Sequence, residues 1–182
     1  MQQVAALLLT RINGDSGAAG PYVTLQKLSA NSADQTSTTP AAVMTTTGLG
    51  AGTWHFRYVL LYQAAATTTG IKAQVNHTGT SGQFVSDFRH TASLATASSG
   101  IGATLVQGTS GNVRESRPES VKDTITSVNV GVVSANTDVM AVIEGFVVVT
   151  VSGSLELKVG TEVAASAVRL MADSMLILTK VG

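Results

Sequence analysis

The sequence predicts an all-β protein, an antiparallel β-sandwich or jelly roll preceded by a short N-terminal arm. No long stretch keeps apolar residues at the helical spacing i, i+3, i+4 and i+7, because Gly, Thr and Ser interrupt the pattern. Short apolar runs recur instead, separated by Gly, Asn, Asp or Ser about every 8 to 15 residues, as in sandwiches and jelly rolls. The segment Gly50 to Tyr62 then joins a glycine turn to an unbroken series of aromatic and aliphatic residues, which is typical of a strand.

The first part of the chain differs from the rest. Met1 to Arg11 contains a short apolar run without the charged leader and longer apolar core of a secretory signal, so we interpret it as an arm or a first strand. Asn13 to Pro21 is rich in turn residues and predicts a turn or hinge. We therefore divide the chain into an arm, residues 1–21, and a jelly-roll domain, residues 22–182.

Within residues 22–182 the apolar pattern predicts a series of short strands. They are Tyr22 to Leu28, Ala41 to Thr47, Trp54 to Tyr62, Ile71 to Asn76, Gln83 to Arg89, Ala103 to Val106, Thr124 to Val133, Val139 to Val151, Ser154 to Val159, Ala167 to Met171 and Met175 to Val181. His77 to Gly82 predicts a hairpin turn. The charged segment Arg114 to Asp123 predicts a surface loop.

The aromatic strand has two apolar faces. One face carries the large rings and leucine, namely Trp54, Phe56, Tyr58, Leu60 and Tyr62; the other carries His55, Arg57, Val59 and Leu61. A strand with one solvent-facing side would alternate apolar with polar residues, so both sides of this strand are expected to be covered. A partner subunit is the favoured cover. A monomeric sandwich with a helix or loop over the second face is the alternative, and no helix is available in the pattern.

Composition favours assembly as well. Only 12% of residues are charged, against about 25% in ordinary soluble proteins, and the formal net charge is zero. Such a surface gives little self-repulsion against association. The scattered Lys and Arg residues argue against nucleic acid binding. Val139 to Val151 is too short for a membrane span of about 20 residues and is interrupted by Glu144 and Gly145, so no membrane partner is expected.

Sequence motifs for catalysis or cofactors are weak, and we predict neither an enzyme nor a bound cofactor or metal. The chain has no cysteine, and His55, His77 and His90 lack a metal-ligand spacing, so they are predicted to be surface or interface residues. Asp87 and His90, with Ser86 nearby, offer the residue types of a catalytic triad but no nucleophile elbow supports it.

Glu144 is the exception that requires an explanation. A carboxylate inside an apolar strand must be ion-paired, hydrogen-bonded or placed at a bulge. It is either half of a glycosidase acid pair or the partner of Arg57 or Arg169 at a subunit interface. The structural role is favoured.

Several segments together resemble a diffuse group of bacteriophage virion-surface domains, found in tail-fibre tips and in capsid decoration or head-fibre proteins. Their fold is similar to the trimeric tumour-necrosis-factor-like jelly roll. The resemblance covers Leu28 to Val181, although Ala172-Asp173-Ser174 stands where such domains often have a glycine-bearing turn. It is carried by Gly48-Leu49 before the alternating strand Trp54 to Tyr62, AAATTTGI at Ala64 to Ile71, GSLELKVGTEV at Gly153 to Val163, Val168 to Leu170 and Ser174 to Leu178.

The resemblance implies a homotrimer in which the inner sheets pack around a threefold axis. The expected function is capsid decoration: the trimer, made in the host cytoplasm, binds the major capsid protein on the outer head surface of the virion and stabilises the shell. The trimer interface is assigned to His55, Arg57, Val59, Leu61 and Glu144, with one face each of Val139 to Val149 and Met175 to Val181. Capsid docking is assigned to Val4, Leu7, Leu8, Leu9 and Arg11.

Two other functions are weaker on the sequence. The alternative is a tail-fibre or spike tip that binds host glycans through segments such as Gly79 to Phe88 or Arg114 to Asp123. One Trp and three Tyr offer few rings for stacking on sugars, and no coiled coil or repeat precedes the domain as a fibre shaft would. A hydrolase on the same fold is disfavoured further because no acid pair or triad emerges.

Overall fold

The computed structural model describes residues 23–90, 119–120, 124–128, 131–132 and 134–181. These residues form eleven strands and no helix. The strands are β1 (Val23–Lys27), β2 (Ala41–Leu49), β3 (Gly52–Ala64), β4 (Ile71–His77), β5 (Thr80–His90), β6 (Glu119–Ser120), β7 (Thr124–Val128), β8 (Val139–Val151), β9 (Gly153–Thr161), β10 (Val168–Leu170) and β11 (Met175–Lys180). Every strand pairing is antiparallel, and two sheets enclose one core, so the predicted antiparallel β-sandwich is confirmed.

The order of the strands is that of a jelly roll with an addition at one edge. The large sheet runs β1-β11-β3-β8-β5-β6, with β10 pairing the end of β3 beyond β11, and the small sheet runs β2-β9-β4-β7. Without β5, β6 and β10, four strands remain in each sheet, β1-β11-β3-β8 facing β2-β9-β4-β7, which is the eight-stranded double sheet of a jelly roll. The β5 and β6 strands extend the large sheet beyond β8.

The core lies between the sheets and is built around β3. Trp54, Phe56, Tyr58, Leu60 and Tyr62 all point inward and are buried, so the aromatic face is the core face, a choice that the sequence pattern left open. The Phe56 ring contacts two neighbouring rings, Phe84 edge-on at 5.6 Å and Tyr58 at 6.1 Å between ring centroids. Aromatic pairs of this kind contribute about 0.5 to 1.5 kcal/mol beyond the area they bury. The aromatic row therefore fixes which side of the large sheet faces the small sheet.

Aromatic burial also has a cost at Tyr58. Its hydroxyl is enclosed and has no hydrogen-bond partner among the described residues. Burial, reinforced by the negative charge of Glu156, raises the pKa of Tyr58 well above its usual range, so the phenol stays neutral. The Tyr58 ring thus contributes packing to the core, while its hydroxyl lacks a hydrogen bond with any described residue.

The turn between β4 and β5 corrects one prediction. His77 to Gly82 is not a hairpin turn, because β4 belongs to the small sheet and β5 to the large one. Beside it, β8 continues into β9 through Ser152 with the same change of sheet, while β4 stays paired with β9 and β5 with β8. Local sequence alone does not distinguish a hairpin from a sheet-crossing corner.

Two glycines allow these corners to lie against each other. A side chain on Gly79 would place its Cβ 2.7 Å from the Ser152 carbonyl oxygen, and one on Gly153 would collide with Gly79. Hydrogen bonds join the corners: the Thr78 backbone N–H donates to the Ser154 carbonyl (3.0 Å), and the Ser154 N–H donates to the Thr78 hydroxyl (2.8 Å). The two corners are thus fastened to each other, next to a register shift between β5 and β8 at Thr80 to Gln83.

Other predicted boundaries shift by a few residues or fall outside the described part. β7 ends at Val128 rather than at Val133. Gly131, with φ of +132°, leads into Val132, which packs in the core. Within the predicted loop Arg114 to Asp123, Glu119–Ser120 pairs with the free edge of β5. The predicted Ala103 to Val106 strand and the Asn13 to Pro21 hinge lie outside the described residues.

The turn before the last strand agrees with the sequence argument. Asp173 adopts a left-handed conformation with φ of +71°, which Asp tolerates better than most residues. Its carboxylate lies 2.6 Å from the Lys27 ammonium, and its backbone N–H donates to the Leu28 carbonyl. The next residue, Ser174, both accepts a hydrogen bond from the Leu61 N–H and donates one to the Leu61 carbonyl, each 3.0 Å long. Asp173 therefore forms the turn without glycine.

Gly145 permits close packing between β5 and β3 across β8. It lies in register between Phe56 and Ser86 on the inner face of the large sheet. An added Cβ would lie 2.8 Å from Ser86 Cα and 2.9 Å from Phe56 Cζ, and would collide with the Val85 carbonyl oxygen. The Phe56 ring thus depends on a missing side chain at position 145.

We expect Gly145→Ala to lower the free energy of unfolding by about 1 to 3 kcal/mol, because the methyl group forces the β5 backbone and the Phe56 ring to move. Gly82→Ala is the matched control, since its added Cβ meets only ordinary contacts, the nearest being Thr150 Cγ2 at 3.5 Å. Denaturant unfolding of both variants makes the comparison. Equal losses at the two positions would contradict this steric argument.

Candidate assembly interface

The two outer faces of the sandwich differ sharply in chemistry. On β2, β4 and β9 the outward residues are small or polar: Ala42, Thr45, Lys72, Gln74, Asn76, Ser154, Glu156 and Lys158. On the large sheet many are large and apolar: Val23, Leu25, Val59, Leu61, Val85, Met140, Val142, Phe146, Val148, Met175 and Ile177. We call this second surface the apolar face. It has the composition of a covered surface, whereas the small sheet has that of a solvated one.

The apolar face contains the residues that the sequence assigned to an interface. Val59 lies between Met175 and Val142 in the strand register, and Leu61 lies opposite Met140, which is 54% exposed. Leu25, at the β1 edge, is 51% exposed. The structure therefore brings the predicted residues together on one surface, and their contact with a second copy remains a prediction.

A row of charged residues crosses the apolar face. Arg57 on β3, Glu144 on β8 and Asp87 on β5 lie directly opposite one another across the three strands. Arg89 and His55 lie one outward position away, on either side of this row. We call these five residues the charged belt. It lies among apolar neighbours rather than at the rim, because Leu25 and Ile177 continue the same line toward β1.

Glu144 is ion-paired, as its place in an apolar strand requires. Its two oxygens lie 3.4 Å from His55 Nε2 and 3.5 Å from Arg89 Nη2. Arg89 also donates through Nε to Asp87 Oδ2 at 2.5 Å. This hydrogen bond, together with attraction by both carboxylates, raises the pKa of Arg89 against the opposing effect of partial burial. Arg89 therefore holds a permanent positive charge between two carboxylates.

The partners of Glu144 differ from those that the sequence suggested. Arg57 lies directly across from Glu144 in the register but makes no hydrogen bond or ion pair with any described residue, and it is exposed. Arg169, on β10, lies 3.7 Å from Asp34 instead. The sequence argument did not identify Arg89 as a partner of Glu144. The available indication was that Asp87 and Arg89 lie two residues apart, on one face of a strand that pairs with β8.

The histidines and the triad residues are separated by the fold. His77 is buried, not at the surface as predicted, and its Nδ1 lies 2.9 Å from the hydroxyl of the buried Ser81 beside the β4–β5 corner. Ser86 points into the core, whereas Asp87 points outward, because consecutive residues of a strand face opposite ways. The part of the chain that the structure describes holds no group of three potential metal ligands. The side chain of His90 is outside the described part.

Two further assignments bear on other surfaces. Gly79 to Phe88, considered as a glycan-binding loop, is mostly strand β5, and its rings Phe84 and Phe88 are buried in the core. The capsid-docking residues Val4, Leu7, Leu8, Leu9 and Arg11 lie outside the described residues, as does most of Arg114 to Asp123. Within the described ranges, no helix is long and apolar enough to cross a membrane.

Comparison with family models, with curated proteins and with solved structures finds no match for this chain.

Replacing Arg89 tests the ion pairs of the belt. We expect Arg89→Met to lower the free energy of unfolding by about 1 kcal/mol at neutral pH, because Asp87 and Glu144 are left as adjacent like charges. Salt screens that repulsion, so the loss should shrink as the ionic strength rises. Thermal unfolding at fixed protein concentration across a series of salt concentrations, with Arg169→Met as control, measures the effect. A loss that is independent of salt would show that Arg89 acts through packing alone.

Proposed function

We propose that this protein is a non-enzymatic virion structural protein, a capsid decoration protein that binds the outer head surface as a homotrimer and stabilises the shell. The observation that carries the proposal is the apolar face. The small sheet of the same molecule serves as an internal comparison, because its outer face alternates as a solvated sheet does. A broad apolar surface on one sheet of the described residues is best explained as an interface of an assembly.

The size of the apolar face is adequate for an interface. Between Thr53 and Leu61 on β3, and from β1 across to β5, standard strand dimensions give about 27 Å by 19 Å, a projected area of roughly 500 Å². The accessible area of a surface covered with side chains exceeds its projection, and stable interfaces bury about 800 Å² per partner. We therefore assign a second copy of the chain as the partner that covers the apolar face.

Threefold symmetry and capsid decoration follow from the resemblance. In trimers of that type the inner sheets of the three protomers pack around the axis, and here the large sheet carries the apolar face. A trimer presents three equivalent docking sites, so weak contacts with the major capsid protein act together and gain avidity. The arm, residues 1–21, is the segment that we assign to docking, through Val4, Leu7, Leu8, Leu9 and Arg11. The location is the outer capsid surface.

A charge on the apolar face tests the assembly. We expect the unaltered protein to have a trimer mass by light scattering and Val59→Asp to be a folded monomer, because a carboxylate between Met175 and Val142 opposes burial. Thr45→Asp, on the outer face of the small sheet, should remain trimeric. Circular dichroism checks that each variant retains its strands. A monomeric unaltered protein, or a trimeric Val59→Asp variant, would refute an interface through this face.

Removal of the arm tests the docking assignment. A variant lacking residues 1–21 should remain a trimer and lose binding to capsids in a co-sedimentation assay, because the interface and the docking segment are separate. Cryo-microscopy of virions then locates the complete protein. Density on the head supports decoration, whereas density at a tail tip would favour host-glycan binding. Unchanged capsid binding without residues 1–21 would exclude the arm from the mechanism.

A further inference from the structure

We propose that Arg57 of one copy forms an ion pair with Glu144 of a neighbouring copy, and that this contact sets the rotational register of the trimer. The inference rests on the proposed trimer and specifies which groups meet within it. It is carried by the charged belt, in which the Arg57 side chain has no partner among the described residues and the Glu144 carboxylate is held in place with free acceptor positions.

Arg57 is the unsatisfied member of the belt. Its side chain is exposed between Ile177 and Glu144 in the strand register, and it makes no ion pair or hydrogen bond with any described residue. Covering this face with an apolar partner would desolvate a guanidinium that offers five donors, which is costly unless an acceptor is supplied. Any copy that covers the face must therefore bring an acceptor to this position.

Glu144 is suited to be that acceptor. His55 and Arg89 flank the carboxylate at 3.4 and 3.5 Å, which positions it without short hydrogen bonds, and its side chain is 30% exposed. An ionised carboxylate has about four acceptor positions, so contacts with His55 and Arg89 leave room for another donor. The site is thus organised in the single chain before a partner arrives.

Asp87, the other carboxylate of the belt, is not available in this way. Its Oδ2 already accepts the 2.5 Å hydrogen bond from Arg89. Its Oδ1 is enclosed, out of reach of an incoming group. The neighbouring copy therefore meets Glu144 as the accessible negative charge of the belt.

Pairing between copies gives the contact a direction. Apart from His55, the belt carries two positive and two negative charges, so the register between two facing belts decides whether like or opposite charges meet. When Arg57 of each copy pairs with Glu144 of the next, the contact is heterologous, which is the kind that closes a ring. The surrounding apolar residues supply area, and the ion pair selects the arrangement.

Arg57→Met distinguishes this ion pair from simple apolar contact, because the two predict different changes in the dissociation constant of the trimer. The substitution removes the charge and keeps an apolar side chain. If Arg57 pairs with Glu144 of the next copy, the dissociation constant of the trimer should rise at least about tenfold. Unchanged or tighter assembly would overturn the proposal, since it would mean that the cation gains nothing from the partner. Lys72→Met, on the outer face of the small sheet, is the matched control and should leave dissociation unchanged.

A double substitution tests the specific pair. Glu144→Gln alone should also weaken assembly, and Arg57→Met with Glu144→Gln should be no weaker than the more affected single variant, because both remove one interaction. Sedimentation at a series of protein concentrations measures all four proteins. Additive effects of the two substitutions would overturn the pairing.

Cross-linking locates the contact directly, since the chain has no cysteine. Arg57→Cys and Glu144→Cys variants, made separately and refolded together, should give covalent dimers with a short bismaleimide, and neither should do so alone. Cross-linking of Arg57→Cys by itself, or none in the mixture, would overturn the proposal. A monomer by light scattering refutes the proposed trimer, whereas a trimer that is insensitive to Arg57→Met refutes only this ion pair.

Discussion

The structure depends on one strand that is apolar on both sides. β3 lies inside the large sheet, paired with β8 from Gly52 to Tyr62 on one edge and with β11 and β10 on the other. Its inner row of rings fills the space between the sheets. Gly145 leaves room for the Phe56 ring, which packs edge-on against Phe84. Because the side-chain period of a strand is two, fixing the rings inward places His55, Arg57, Val59 and Leu61 outward without further choice.

The apolar face is formed by the register of β3 with four other strands of the large sheet, β1, β11, β8 and β5. Each contributes apolar side chains at the same level as the outward residues of β3, so isolated apolar positions merge into one surface. The small sheet does not do this, because Lys72, Gln74, Glu156 and Lys158 alternate with its core residues. The difference between the sheets favours a function by assembly over one by a pocket, and this reasoning underlies the proposed decoration trimer.

Charge within the apolar face is the least expected feature energetically. An ion pair that is removed from solvent contributes little more to stability than apolar residues of similar size. Charged residues in such a surface therefore favour a role in the specificity of contacts. Arg89 contacts two carboxylates, those of Asp87 and Glu144. The Arg57 side chain has no such contact among the described residues. An apolar surface alone permits many arrangements of copies, and in the trimer that we propose the charged belt would reduce their number.

The β character and most strand positions follow from the sequence alone, because both depend on a period of two that is readable within one strand. Asp173 is also readable as a turn residue from its own conformational tolerance. Long-range packing selects the aromatic face of β3 for the core, places β4 and β5 in different sheets, buries His77 beside Ser81 and brings Arg89 to Glu144. These features depend on the pairing of segments far apart in the chain, which is set by the close approach at Gly79 and by the packing of two sheets rather than by any local pattern.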